Sequence, residues 1–242
     1  MSETILLPKS PKKKNSLESE NKYTLSSQRF EMAIQALDYL CDPDPKFPTG
    51  VVCSIYYDSR NWDLLQEKRN SDYFKTKIRL RWYESSKQTD SQADPSFIEA
   101  KYRTGSKRTK IRVISGIAGQ HLTNICLDDP KLLAIPRLLA AEGAPVRYDL
   151  VPTFVVRYLR RRYIERSTKA RISLDHQITS PKVNPSMLAT SYPCHLNKCV
   201  LEVKKTDGNF PIGLQSLLKL GFRKTAFSKY YECYACLTGT FF

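Results

Sequence analysis

The stretch Tyr73–Tyr83, YFKTKIRLRWY, alternates without a break. Phe74, Thr76, Ile78, Leu80 and Trp82 share one parity, and Lys75, Lys77, Arg79 and Arg81 share the other. Successive side chains of a β-strand point to opposite faces, so the pattern predicts a strand with one apolar face and one face of four cations. Same-face neighbours stand roughly 7 Å apart, where two like charges at an effective dielectric of ~20 repel by about 2–3 kcal/mol. A fold tolerates such a face when solvent screens it, acids pair with it, or a polyanion occupies it.

The same alternation recurs further along the chain. Glu99, Lys101 and Arg103 oppose Ile98, Ala100 and Tyr102, and Lys110 and Arg112 oppose Thr109, Ile111 and Val113. Arg171, Ser173 and Asp175 oppose Ile172 and Leu174, while Glu202 and Lys204 oppose Leu201 and Val203. In 154–163 the pattern blurs, because Arg157, Arg160, Arg161 and Arg162 occupy both parities. A half-exposed sheet with polar solvent faces accounts for any one of these strands. A generic solvent face mixes signs, however, and here cations far outnumber acids. A closed barrel with its charged faces inward gathers those cations around one anionic ligand, where forked guanidiniums suit phosphate oxygens. Glu99 and Glu202 are the rare acids among them. Each reads either as a ligand to Mg²⁺ or Mn²⁺ held against phosphate, or as an internal ion-pair partner.

Composition agrees with an anionic partner. The 242 residues carry a net charge of +15, and 14 Tyr with 10 Phe favour a folded, β-rich chain. Residues 1–21 read as a disordered tail whose four lysines and three glutamates contribute only +1, which leaves +14 on residues 22–242, read as a single domain. No apolar run is long enough to span a membrane and no signal-peptide pattern opens the chain. Seven scattered cysteines suggest reduced thiols and a cytoplasmic protein.

Between the basic strands, helices are expected over about 27–40, from Asp128-Asp129-Pro130 to Leu139 with a break at Pro136, and from Phe210-Pro211 to a stop at Gly221. Strands are expected at 51–59, 73–83, 97–103, 109–115, 151–165, 169–177 and 198–205, with a last strand or two from Phe227 to Thr240. Residues 178–197 read as loop. The fold class is therefore α+β, a closed antiparallel β-barrel with a basic lumen and peripheral helices.

Nine motifs in this order resemble the catalytic domain of the vacuolar transporter chaperone (VTC) polyphosphate polymerases, within the triphosphate tunnel metalloenzymes. They are ENKY at 20–23, SIYYDS at 54–59, KIRLRWY at 77–83, FIEAK at 97–101, KIRV at 110–113, YLRRRY at 158–163, ARISLD at 170–175, VLEVK at 200–204 and FSKYYE at 227–232. The resemblance implies phosphate contacts from Lys22, Arg79, Arg81, Lys101, Arg160, Arg171 and Lys229, with Lys110, Arg112, Tyr158 and Lys204 as further substrate-binding residues. It implies that Glu202 holds Mn²⁺ or Mg²⁺, and that the parity of 154–163 resolves in favour of Arg160. It departs from the family at Arg162, where a small residue is usual, and it is similar to the shorter stand-alone bacterial members. The implied activity transfers the γ-phosphoryl of ATP onto a growing polyphosphate chain, with a membrane protein as a candidate partner. Hydrolysis of triphosphate in the same tunnel and non-catalytic binding of polyphosphate or inositol phosphate are the alternatives. A nucleic-acid partner is not expected, since it would need an open aromatic and basic face instead of a lumen.

Other features carry less. Cys194, Cys199, Cys233 and Cys236 invite a zinc reading, but a strand over 229–236 would send Cys233 and Cys236 to opposite faces. His121, His176 and His195 are isolated, and no P-loop or dinucleotide fingerprint is present.

Overall fold

The computed structural model describes residues 19–84, 94–105, 107–205 and 209–240. Among the described residues eleven strands form one sheet: β1 (Ser19–Ser26), β2 (Cys41–Pro43), β3 (Thr49–Asp58), β4 (Phe74–Glu84), β5 (Pro95–Thr104), β6 (Lys107–Ala118), β7 (Val151–Glu165), β8 (Arg171–Ser180), β9 (Cys194–Leu196), β10 (Lys198–Lys205) and β11 (Arg223–Lys224). Their order is β11-β1-β10-β8-β7-β3-β4-β5-β6, with β2 added to β7 and β9 to β8. All these pairings are antiparallel.

The expected closed barrel is corrected here. Among the described residues the hydrogen-bonded path ends at β6 and β11, and no ladder joins them. The sheet instead curls until its two margins face one another across a cavity, so that Lys110 of β6 and Lys224 of β11 line the same space. Twist supplies that curl without closure, and the cations carried by both margins oppose edge-to-edge pairing.

The alternation seen in the sequence sorts the two faces. Ile78, Leu80 and Trp82 of β4 pack outward with Ile55, Ile98 and Ile111 in one core cluster. That cluster is covered by α3 (Gly119–Asn124), α4 (Pro130–Ala134) and α5 (Arg137–Ala141), with Leu122, Leu132 and Leu139 inserted. Asp129 caps α4 by accepting from the Lys131 backbone N–H, and Pro136 divides α4 from α5. A second outer cluster joins β1, β8 and β10 to α1 (Phe30–Leu40), through Ala33, Ile34 and Leu37. Residues 212–214 turn as a 3₁₀ helix into the short α6 (Gln215–Lys219), and Gly221, at φ +100°, ends it.

The inner face is partly filled by α2 (Asp63–Arg69) and α7 (Lys229–Thr238). The latter corrects the strand expected over 227–240. Ser228 caps the helix by accepting from the Tyr231 N–H, and Tyr230, Cys233, Cys236 and Leu237 are buried at helical spacing. Tyr230 stacks on Tyr56 at 4.7 Å and on Phe154 at 5.1 Å, which anchors the start of α7 in the cavity wall. Three shorter corrections follow. β1 begins at Ser19, so residues 19–21 belong to the sheet, while 1–18 lie outside the described residues. β8 runs on to Ser180 and β9 interrupts the loop expected over 178–197. Cys233 and Cys236, three apart on a helix, share a buried face and cluster with Cys194.

Candidate phosphate-binding cavity

Register places the inward side chains of β4, β5 and β6 in rows across the sheet. Arg79 stands opposite Glu99, which stands opposite Arg112; Lys77, Lys101 and Lys110 form the next row, and Lys75, Arg103 and Arg108 the one after. On the other side, Tyr56 faces Arg79 and Ser54 faces Arg81. The cavity lined by this face holds about 750 Å³. Its opposite wall is built by Lys22, Arg160, Glu202, Lys204 and Lys229.

Glu99 organises the first row. Arg79 donates to its Oε2 from Nε at 2.9 Å and Nη2 at 2.7 Å, and Lys110 donates to Oε1 at 2.6 Å. Arg81 and Arg112 stand 3.9 and 3.5 Å away. Burial opposes ionisation of Glu99, but Arg79, Arg81 and Lys110 outweigh it and hold the carboxyl well below the usual carboxylate range. Arg79 and Lys110 engage both oxygens of Glu99, which as an ion-pair partner fixes the guanidinium.

The facing wall has its own hub. Arg160 grips Asp175 with two donors at 2.5 and 2.6 Å and reaches Glu202 at 2.9 Å. Lys229, delivered by the first turn of α7, lies 2.5 Å from Asp175 and 3.3 Å from Glu202. Lys22 adds a contact to Glu202 at 3.4 Å. Burial disfavours both carboxylates, yet Lys229, Lys22 and Arg160 pull Glu202 well below its ordinary pKa, and Arg160 and Lys229 lower Asp175. Tyr158 accepts from Arg81 Nη2 at 3.2 Å and thereby links the two walls.

Lys77 and Lys101 differ from the rest. Neither has a carboxylate within ion-pair distance among the described residues, and Lys77 donates instead to the Ser228 hydroxyl at 3.2 Å. Burial, with Lys22, Arg79 and Lys101 nearby, pushes Lys77 well below its ordinary pKa. Burial and then Arg79 bring Lys101 down to about 7. An anion beside Lys101 favours its charged form, so binding at pH 8 is expected to take up a proton, and affinity to fall as pH rises above 7. Calorimetric titration of tripolyphosphate in buffers of different ionisation enthalpy measures that uptake. It is expected to shrink in Lys101→Met, and zero uptake at pH 8 in the unaltered protein would disprove the assignment.

Of the residues named from the sequence, Lys22, Arg79, Arg81, Lys101, Lys110, Tyr158, Arg160, Glu202, Lys204 and Lys229 line the cavity. Arg112 stands at its margin. Arg171 does not line it, being exposed at the first residue of β8. Lys77 belongs to the cation face named from the sequence, whereas Asp175, Glu20 and Tyr56 join the site without being among the expected site residues. The sequence signal for Asp175 is its parity with Arg171 and Ser173, and Glu20 falls in the segment read as tail.

No group of three His, Cys, Asp or Glu side chains among the described residues is arranged to hold a metal ion, the Cys194–Cys233–Cys236 cluster included. Two carboxylates, Glu20 and Glu202, do line the cavity on adjacent strands and sense one another's charge. Mg²⁺ characteristically takes one or two carboxylates and completes its shell with water and phosphate oxygens, a donor set this pair fits.

A family model described as the VTC domain matches residues 17–238. Among solved structures, a Bacillus halodurans protein assigned as an adenylate cyclase superposes with a TM-score of 0.51 at 13% identity, covering 89% of this chain and 95% of its own. A Vibrio parahaemolyticus protein with the same assignment gives 0.48 at 10% identity, covering 92% and 100%. A search of the curated proteins finds no match. No helix among the described residues is long and apolar enough to cross a membrane.

Proposed function

Because the chain belongs to the VTC-domain family, within the triphosphate tunnel proteins, we propose that it is a polyphosphate polymerase drawing phosphoryl groups from ATP. The observation that carries this reading is the length of the cation run. From Arg81 to Lys75 the inward side chains of β4 are spread over seven residues, ~20 Å at the rise of a strand. Arg103, Arg108 and Lys68 continue the positive wall at the Lys75 end. A triphosphate needs only part of that run, whereas a growing phosphate chain uses all of it.

In this reading catalysis is positioning and charge neutralisation. Arg79 and Arg81, held by Glu99 and Tyr158, clamp the triphosphate of ATP, while Lys101, Lys22, Arg160 and Lys229 hold the terminal phosphate of the acceptor in line. An acceptor oxygen forms the new bond to the γ-phosphorus as the bond to the β,γ-bridging oxygen breaks, and ADP leaves with that electron pair. Glu202 and Glu20 would hold a divalent ion, which when bound would supply charge neutralisation at the phosphate oxygens.

The test is incubation with ATP and Mn²⁺ or Mg²⁺, and separately with tripolyphosphate, with products resolved on a gel. The expected result is a ladder of long polyphosphate from ATP, abolished by Glu202→Ala and by Arg79→Ala. Free phosphate without a ladder would make the protein a triphosphatase. Binding without turnover would make it a polyphosphate-binding module.

A further inference from the structure

The two ends of the inward face differ in chemistry. Toward Lys75 every inward residue of β4, β5 and β6 is a cation, but one row beyond Arg79 only β4 still carries one. There Arg81 faces Phe97, which faces Ile114. Phe97 is half-buried, while Ile114 is 64% exposed on the inward parity of β6, an unusual place for a large aliphatic side chain beside so much charge. The Arg112 guanidinium lies flat enough over Phe97 to bring its central carbon within 3.6 Å of the ring centroid. Its side chain keeps 39% of its surface open, and the contact with Glu99 at 3.5 Å ties it to the clamp around Arg79.

A guanidinium backed by an aromatic ring and flanked by an exposed aliphatic side chain presents a planar, apolar-edged face. Such a face adds little to the binding of phosphate, whose oxygens seek donors in the guanidinium plane. It suits a planar heterocycle, since nucleobases stack on arginine planes and aromatic rings. The row also lies next to Arg81 and Arg79, so a base resting there leaves its triphosphate within reach of the clamp.

We propose that Arg112, backed by Phe97 and flanked by Ile114, is a nucleobase platform, so that the substrate is a nucleoside triphosphate that lies with its base at this end and its phosphates directed toward Lys101 and Lys75. This rests on the phosphate-binding reading of the cavity and adds to it a polarity. The nucleotide enters and its diphosphate departs at the Phe97 end, and a phosphate chain extends toward the row of Lys75, Arg103 and Arg108.

Equilibrium binding of ATP and of tripolyphosphate tests this on the full chain and on Arg112→Lys, which keeps the charge and removes the plane. Phe97→Leu is the second variant, and thermal unfolding checks that both remain folded. ATP is expected to lose about tenfold in affinity in each variant, the worth of one stacked base, with tripolyphosphate essentially unchanged in Phe97→Leu and reduced clearly less than ATP in Arg112→Lys. Equal losses for the two ligands, or no loss for either, would overturn the platform and leave the phosphate site standing. Failure of the unaltered protein to bind either ligand would overturn the phosphate reading, and the platform with it.

Discussion

Replacing Arg79 by alanine is expected to abolish phosphate-chain binding and to destabilise the fold by about 3–5 kcal/mol, the range for breaking a buried ion pair from one side. The size of the effect follows from where Arg79 sits. It supplies two of the hydrogen bonds to Glu99, which is 1% exposed and cannot recover them from water. Lys110, Arg112 and Arg81 remain, but they are then drawn toward Glu99 and away from any ligand. Removing the acid as well should separate the two roles. The double variant Arg79→Ala, Glu99→Gln is expected to regain much of the stability, measured by urea unfolding, while phosphate binding stays lost. Wild-type affinity in the single variant would refute the clamp.

The second large effect is expected at Lys229. Its change to methionine strands Asp175, which is wholly buried, and Glu202 with Arg160 and Lys22 as remaining partners. A loss of about 3–5 kcal/mol is expected, which for a chain of this size lowers the unfolding temperature by roughly 10 °C. The pH dependence has a definite sign. In the unaltered protein both carboxylates titrate below their unfolded values. They therefore contribute stability that is present above about pH 4 and is lost as pH falls through the folded values. Without Lys229 the carboxylates keep Arg160 and Lys22 but are lowered less, so the variant has less of this stability to lose in acid than the parent. The stability gap between the two is expected to narrow as pH falls below about 4, and a gap constant down to the acid transition would argue against the cluster.

Much of this cavity could be read from periodicity. The even and odd residues of 73–83 separate onto the two faces of β4, and the parity arguments for Glu99, Lys101, Lys110 and Glu202 transfer directly to the rows of the sheet. Three things resisted. Sheet closure depends on how strongly distant strands curl, which local alternation does not encode. The segment 227–240 is rich in Tyr, Phe, Cys and Thr, whose strand propensity obscured a helical pattern of Tyr230, Cys233 and Leu237. Glu20 sits amid a mixed-charge segment, and only pairing of Lys22 with Glu202 across β1 and β10 draws its neighbours into the wall.

The open margin at β6 has a consequence for the protein in bulk solution. A strand with one unpaired side is a template for association with other copies, and natural sheets commonly blunt it with lysines and other charges. Lys107, Arg108, Lys110 and Arg112 do this along β6, and three of the four belong to the cavity or its rim. Ligand recognition and colloidal stability thus draw on the same side chains. Variants that strip charge from this strand to probe binding should be handled as proteins newly prone to self-association, most of all at high salt, where the remaining repulsion between copies is screened.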